Sequence, residues 1–203
     1  MLHILSKKKL PLIINHHFLS LFIVFILATV LTYKTFPPIQ IWVSLILLYY
    51  YSYIIHIFFH YLPENINMHV IFHHLNDENN SIFIKFFNLY IECLSNILIF
   101  VMFYFVQKIY YINFVPAIII FYYGFIYTTI HIINYSLFHC SKAHVLHHEY
   151  AGDIKKSCNY GLDIMDQIFL TTCDNTIEDQ NHILLNILFA FFASYYVFKP
   201  SIF

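Results

Sequence analysis

The chain has 203 residues, of which 60% are hydrophobic and 10% charged, whereas soluble globular domains run to about half apolar and about a quarter charged. That balance excludes an ordinary soluble domain and identifies an integral membrane protein of one-domain length. A formal net charge of -1, with Lys as the only strongly basic residue type, gives no argument for a nucleic-acid partner. With three Gly and no Pro/Ser-rich linker, no internal boundary is expected. The lack of Arg beside abundant Ile, Asn, Lys, Tyr and Phe matches an AT-rich coding bias, so single Phe and Tyr choices carry little weight. Cys93, Cys140, Cys158 and Cys173 form no C-x-x-C pair and no framework spacing, and are expected as reduced thiols on or near the cytosolic side.

In chain order, Lys7, Lys8 and Lys9 precede an apolar run from Phe18 to Tyr33. A secretory signal peptide is the competing reading, but no A-x-A site follows and a second apolar run begins almost at once. Phe36-Pro37-Pro38 breaks the chain, and Ile39 to Phe59 is long enough to cross, at about 20 residues per span. The two runs are expected to form a helical hairpin. Tyr61 to Ser81 is polar, and its Asn76-Asp77-Glu78-Asn79-Asn80 tract is expected as a solvated loop. Ile82 to Val106 is apolar but interrupted by Asn88, Glu92 and Asn96, so its first half is expected in the interface. Glu92 there is either an interfacial acid, the simpler account, or an intramembrane functional carboxylate. Tyr110 to Ile133 returns as the partner of a second hairpin, and Ser136 to Asn181 is the second polar segment. Ile183 to Phe198 is a short apolar run, either a fifth crossing or a helix lying on or re-entering the membrane. Lys7, Lys8, Lys9, Lys142, Lys155 and Lys156 fall on one side against Lys34 and Lys108 on the other, which orients the polar segments to the cytosol.

Histidine stands out in this background. His144, His147 and His148 lie at i, i+3 and i+4 and share one face of a helix. His56 and His60 sit one turn apart at the end of a span. His69 and His73 share a face, with His74 about 100° further round. A lone His pair at a span end is ordinarily an interface residue, but three clusters returned to one membrane face point to metal, because neutral imidazole is a common ligand. Their eight rings exceed the four ligands of a single tetrahedral site and imply two metals. Imidazole alone suits iron, zinc, copper or nickel. His3, His16, His17 and His182 lack such spacing and are expected to be interface or structural residues. There is no H-E-x-x-H of a zinc protease, no Glu-x-x-His of carboxylate-bridged di-iron bundles, no Gly-rich phosphate loop and no G-x-S-x-G elbow.

Taken together, the H-x-x-x-H, H-x-x-x-H-H and H-x-x-H-H clusters around two pairs of membrane helices resemble the tripartite His boxes of the fatty acid hydroxylase/sterol desaturase superfamily. The resemblance runs from about Ile39 to Thr172. It extends to Asn159-Tyr160-Gly161 and to Asp166-Gln167-Ile168-Phe169-Leu170-Thr171, similar to that family's N-Y-G and W-D-x-x-F-G-T. Met165 stands where the family has Trp, and Leu170 where it has Gly. The resemblance implies an all-α membrane bundle of two transmembrane hairpins with a cytosolic His-rich cap. It also implies three parts: an N-terminal helix and turn over 1–38, a hydroxylase-like domain over 39–180, and a C-terminal membrane or interfacial helix over 181–203.

The implied activity is O2-dependent hydroxylation or desaturation of a lipid by two non-haem Fe ions, with zinc able to replace iron. By motif position the ligands would be His56, His60, His69, His73, His74, His144, His147 and His148. His131, at the end of the fourth helix, is a further ligand, and His139 a weaker candidate. Asp166 is expected to accept an N–H from a ligating imidazole and fix its tautomer, or else to be a cap or surface acid. No flavin or nicotinamide fingerprint and no fused haem domain occur, so electrons would come from a cytochrome b5-type donor or reductase. An endoplasmic-reticulum-type membrane is the implied location. A divalent-metal transporter would instead place its ligands near the bilayer midplane, a haem carrier would place His pairs within facing spans, and a structural relative would hold metal without activity.

Overall fold

The structure, a computed structural model, describes residues 9–74, 81–150, 158–173, 177–178 and 180–199, with the side chains of residues 9–14, 64, 74, 150 and 181 outside that description. Every regular element among the described residues is helical. The long helices are α1 (Lys9–Thr32), α2 (Pro38–His60), α3 (Ile82–Ile109) and α4 (Ala117–Thr129), the last continuing as a π-helical segment, Ile130–Leu137. Three shorter ones follow: α5 (Lys142–Tyr150), α6 (Asp163–Phe169) and α7 (Leu184–Phe198). Between α2 and α3 lie a 3₁₀ turn, Glu64–Ile66, and a π turn, Val70–His74. Four stretches, Asn15–Thr32, Pro38–His60, Ile82–Ile109 and Ala117–Leu137, are long and apolar enough to cross a membrane.

Local chemistry sets the helix starts. A proline disfavours the α conformation of the residue before it, so Pro37 is extended and Pro38 opens α2, while an extended Pro116 opens α4. Ser81 caps α3 by accepting from the Ile84 N–H. Within the spans, hydroxyls bond back to the preceding turn, as Ser44 does to the Gln40 carbonyl, Thr129 to Phe125 and Ser194 to Ala190. An apolar medium offers those groups no other partner.

The centre of the bundle is α4. Of its stretch 61% is buried, against 22–39% for the other three, and it packs on α1, α2, α3 and α7. The core joins Val24, Ala28 and Leu31 of α1 and Ile41, Leu45 and Leu48 of α2 to Ile119, Tyr122 and Ile126 of α4 and Ile187 of α7. Outward faces stay apolar, with Phe22, Ile46, Leu98 and Phe105 exposed, the pattern of a helix surrounded by hydrocarbon.

Two sequence expectations change. The chain from Ile82 is one unbroken 28-residue helix, about 42 Å long at 1.5 Å per residue, so a hydrocarbon core of about 30 Å leaves part of it beyond. Its polar residues Asn88, Glu92 and Asn96 are all buried and share one face at i, i+4 and i+8; Glu92 points into the bundle. Cys158 and Cys173 are joined as a disulfide, leaving Cys93 and Cys140 free. Their spacing gave no sign of it, because a separate backbone contact, Asn159 N–H to Thr171 O at 2.7 Å, brings the two ends together. At 15 residues α7 is too short for a straight 30 Å crossing, and it lies against α1 and α4. The Asn76–Asn80 loop lies outside the described residues.

Gly124 of α4 is where α3 comes closest: a Cβ there would stand 2.9 Å from Cγ of Phe100. The Phe100 ring is packed edge-on by Tyr123 and Tyr127, so it can yield only toward the apolar cavity that it lines with Gly124. Gly124→Ala is therefore expected to cost about 1–3 kcal/mol of overpacking, seen as a lower thermal midpoint in detergent. Adding Phe100→Leu should restore most of the loss.

Candidate metal centre

Four separate pieces of chain bring imidazoles to one place. His56 and His60 end α2; His69 and His73 come from the connection after it; His131 lies in the π segment after α4; His144, His147 and His148 lie on α5. All are buried except His148, which is half-buried. Their rings form two adjoining groups whose donor atoms lie within 4.8 Å of one another: His56, His60, His69 and His147 in one, His73, His131 and His144 in the other. His148 joins the second, with Nε2 2.9 Å from Nε2 of both His73 and His144. The groups touch, the His69 and His73 rings lying 5.0 Å apart and those of His56 and His131 5.8 Å. The three imidazoles of α5 thus divide, His144 and His148 to one group and His147 to the other. His69 and His73 share a face as expected and straddle the border.

Ring tautomers follow from the partners. Nδ1 of His56 is 2.6 Å from the Tyr160 carbonyl and Nδ1 of His147 is 2.6 Å from the Cys158 carbonyl. A carbonyl only accepts, so both Nδ1 atoms carry the hydrogen. Nδ1 of His73 lies 2.9 Å from a Glu92 carboxyl oxygen, which in its ionised form accepts that hydrogen. Burial, with the neighbouring imidazoles adding to it, holds His73 and His144 well below the usual imidazole range. Desolvation likewise takes His147 down to about 4 and His148 to about 3. These rings are therefore neutral, and a neutral ring with hydrogen on Nδ1 has a bare lone pair on Nε2.

The Nε2 atoms of His56 and His73 face other ring nitrogens. His56 Nε2 is 3.0 Å from His69 Nε2 and 3.3 Å from His60 Nε2, and His73 Nε2 is 3.1 Å from His144 Nε2. Nitrogen donors about 2.0–2.1 Å from one metal, at angles of 90–109°, stand roughly 2.9–3.4 Å apart. The same spacing suits an N–H···N hydrogen bond between two imidazoles when no ion is bound, and the donor set fits a metal ion when the rings present their lone pairs. His131 adds a buried Nε2 with no hydrogen-bond partner.

The segment 158–173 carries two of the anchoring carbonyls. Asp166 accepts from the N–H groups of Tyr160 (2.9 Å) and Gly161 (3.1 Å) and from the Thr171 hydroxyl (2.6 Å). None of these donors is an imidazole: Asp166 reaches His56 through the Tyr160–Gly161 peptide, accepting its Gly161 N–H while its Tyr160 carbonyl takes the His56 proton. Burial raises its carboxyl to about 6, opposed by its three donors. Thr171 also meets the Tyr53 hydroxyl at 2.6 Å. Leu170, which stands where the resembling family has Gly, is left-handed at φ 59°, a conformation that costs a side-chain-bearing residue roughly 1–2 kcal/mol.

His139 is exposed, left-handed and in neither group. The His74 side chain lies outside the description. Glu92, for which the sequence left open an interfacial acid or an intramembrane functional carboxylate, was not among the expected site residues. It holds His73 and accepts from Ser136 Oγ at 2.9 Å. Its i, i+4, i+8 register with Asn88 and Asn96 was the available signal. A second buried polar group lies nearby, with His17 Nε2 3.2 Å from Asp163 and Tyr135 donating to Glu178 at 3.4 Å; it ties α1 to α6. The Tyr135 ring in turn stacks on His144 at 4.3 Å.

No family model, curated protein or solved structure matches this chain. The reading of the site rests on its own geometry.

Glu92→Gln keeps an acceptor for the His73 Nδ1–H and should leave bound metal near wild type, whereas Glu92→Leu should weaken metal binding roughly 10- to 100-fold, measured by chelator competition. The depressed imidazoles also give a pH dependence. His147 goes from about 6.5 unfolded to about 4 folded, so below pH 6.5 the unfolded chain takes up protons that the fold refuses. Stability is full above that pH and is lost as pH falls toward 4. The thermal midpoint of metal-free protein should be lower at pH 5 than at pH 7.5.

Proposed function

We propose that this chain is a membrane-bound non-haem di-iron oxygenase that hydroxylates or desaturates a lipid C–H position. The observation that carries the reading is the convergence of imidazoles into two adjoining groups, with Nδ1 of His56, His147 and His73 turned outward to Tyr160, Cys158 and Glu92. His56, His60, His69 and His147 hold one ion, and His73, His131, His144 and His148 hold the other. The spacing of the His boxes and their likeness to the hydroxylase/desaturase motifs favour iron; zinc would fit the same nitrogens. Bound there, the iron pair supplies activation of O2 toward an unactivated C–H bond.

The chain's own part is to bind and position. A cavity of about 80 Å³ opens between α2 and α4 against His56, His131 and His144, with Tyr49, Tyr123 and Tyr127 along its walls. A lipid segment entering from the bilayer reaches the imidazole groups there, shielded from water by the aromatic walls. Two helical hairpins, α1 with α2 and α3 with α4, carry the His-bearing connections to one rim. The Lys distribution turns that rim to the cytosol of an endoplasmic-reticulum-type membrane, where a cytochrome b5-type protein or reductase delivers electrons.

His147→Ala and His73→Ala should each lower bound metal well below wild type by elemental analysis; unchanged content in both would remove the metal assignment. Mass spectrometry of host lipids with and without the chain should reveal an oxygenated or newly unsaturated species. Protein that holds two irons yet leaves every lipid class unmodified would refute the enzymatic reading.

A further inference from the structure

We infer that the Cys158–Cys173 disulfide is a redox latch on one half of the metal centre, opened by small cytosolic thiols. The inference rests on the metal-binding and orientation readings above. The bridge closes the ends of the very segment that anchors two imidazoles. Cys158 itself provides the carbonyl that takes the His147 Nδ1–H, and two residues on, Tyr160 provides the one that takes that of His56. Between them Asn159 is left-handed at φ 55°. Its side chain spans the latch, donating to the Ala143 carbonyl at 3.1 Å and accepting from the Cys173 N–H at 3.1 Å. The covalent link therefore helps hold in place a turn whose two carbonyls set two ligand tautomers.

The two halves of the centre differ in this respect. His56 and His147 both belong to the four-imidazole group. In the other group His73 is held by Glu92 and His131 lies in the π segment, neither through residues 158–173. Opening the bridge thus loosens one group and leaves the anchors of the other.

The chemistry is thiol–disulfide exchange. Cys158 is buried and Cys173 half-buried, so an incoming thiolate attacks the Cys173 sulfur. The Cys158 sulfur leaves as thiolate and takes a proton, and a second thiol resolves the mixed disulfide. In sum the bridge and two RSH become two cysteine thiols and one RSSR. Disulfides facing a reducing cytosol are usually transient and redox-sensing, which suits a latch.

The test uses the full chain in detergent with Cys93→Ser and Cys140→Ser, so that the bridge holds its only sulfurs apart from Met. Zinc is the probe because it has no redox chemistry of its own, and a phosphine is the reductant because it does not chelate as a dithiol does. Thiol titration should count none before reduction and two after. Zinc affinity of one portion of the bound metal should fall roughly 10- to 100-fold on reduction, and reoxidation should restore it. Cys173→Ser should show the weak affinity under both conditions; if that variant misfolds, reduction of the background protein makes the same test without it. Zinc bound equally well before and after reduction overturns the latch alone. Two free thiols in protein purified under air also overturn it. Protein that binds no zinc in either state overturns the metal reading and the latch with it.

Discussion

A neutral imidazole in an apolar interior has one hydrogen to place and one lone pair to place, and where the hydrogen goes decides where the lone pair points. In this chain three rings from three elements, His56, His73 and His147, give their Nδ1 hydrogen to fixed acceptors outside the cluster. The Nε2 atoms of His56 and His73 are left facing other nitrogens at 3 Å or little more, and His147 belongs to the His56 group. The acceptors are backbone carbonyls and a carboxylate buried too deeply to turn away. Most of the surrounding architecture can be understood as what holds those acceptors still.

For the backbone acceptors, that support is the 158–173 segment. One carboxylate, Asp166, gathers two consecutive N–H groups and a hydroxyl, and the disulfide closes the ends. A buried carboxylate without such donors would cost several kcal/mol; with them it converts a loop into a rigid ledge. For the carboxylate acceptor, the support is the polar face of α3, with Ser136 of the neighbouring π segment holding Glu92 from the other side. A π segment adds a residue to a turn and is often found at functional sites. Here it carries His131 and Ser136 inward together.

The bundle beneath is ordinary by comparison. Its core is a close fit of aliphatic residues around α4, with Gly124 admitting Phe100. Several of its hydroxyls within the spans, Thr32, Ser44 and Thr129 among them, are satisfied by the preceding helical turn. Apolar faces that would be a liability in water are the natural outside of a protein in a bilayer.

Composition and hydropathy determined that the chain is helical and membrane-embedded, because a bilayer admits few other ways of satisfying backbone groups. The periodicity of His56/His60 and His144/His148 also told which rings would meet, since those pairs lie one turn apart and the helix itself enforces contact. What one periodicity could not give is how the elements would share them. His147 left its α5 neighbours for the α2 pair, and His69 and His73 fell on either side of a border, because only the packed arrangement of α2, α5 and the intervening connection sets those distances. Glu92 and the Tyr160 and Cys158 carbonyls were hidden for a related reason: backbone atoms have no sequence signature, and a single Glu acquires a partner only when a distant turn is folded against it. The Cys158–Cys173 pairing belongs to the same class, since two cysteines 15 residues apart meet only once Asn159 and Thr171 have paired between them.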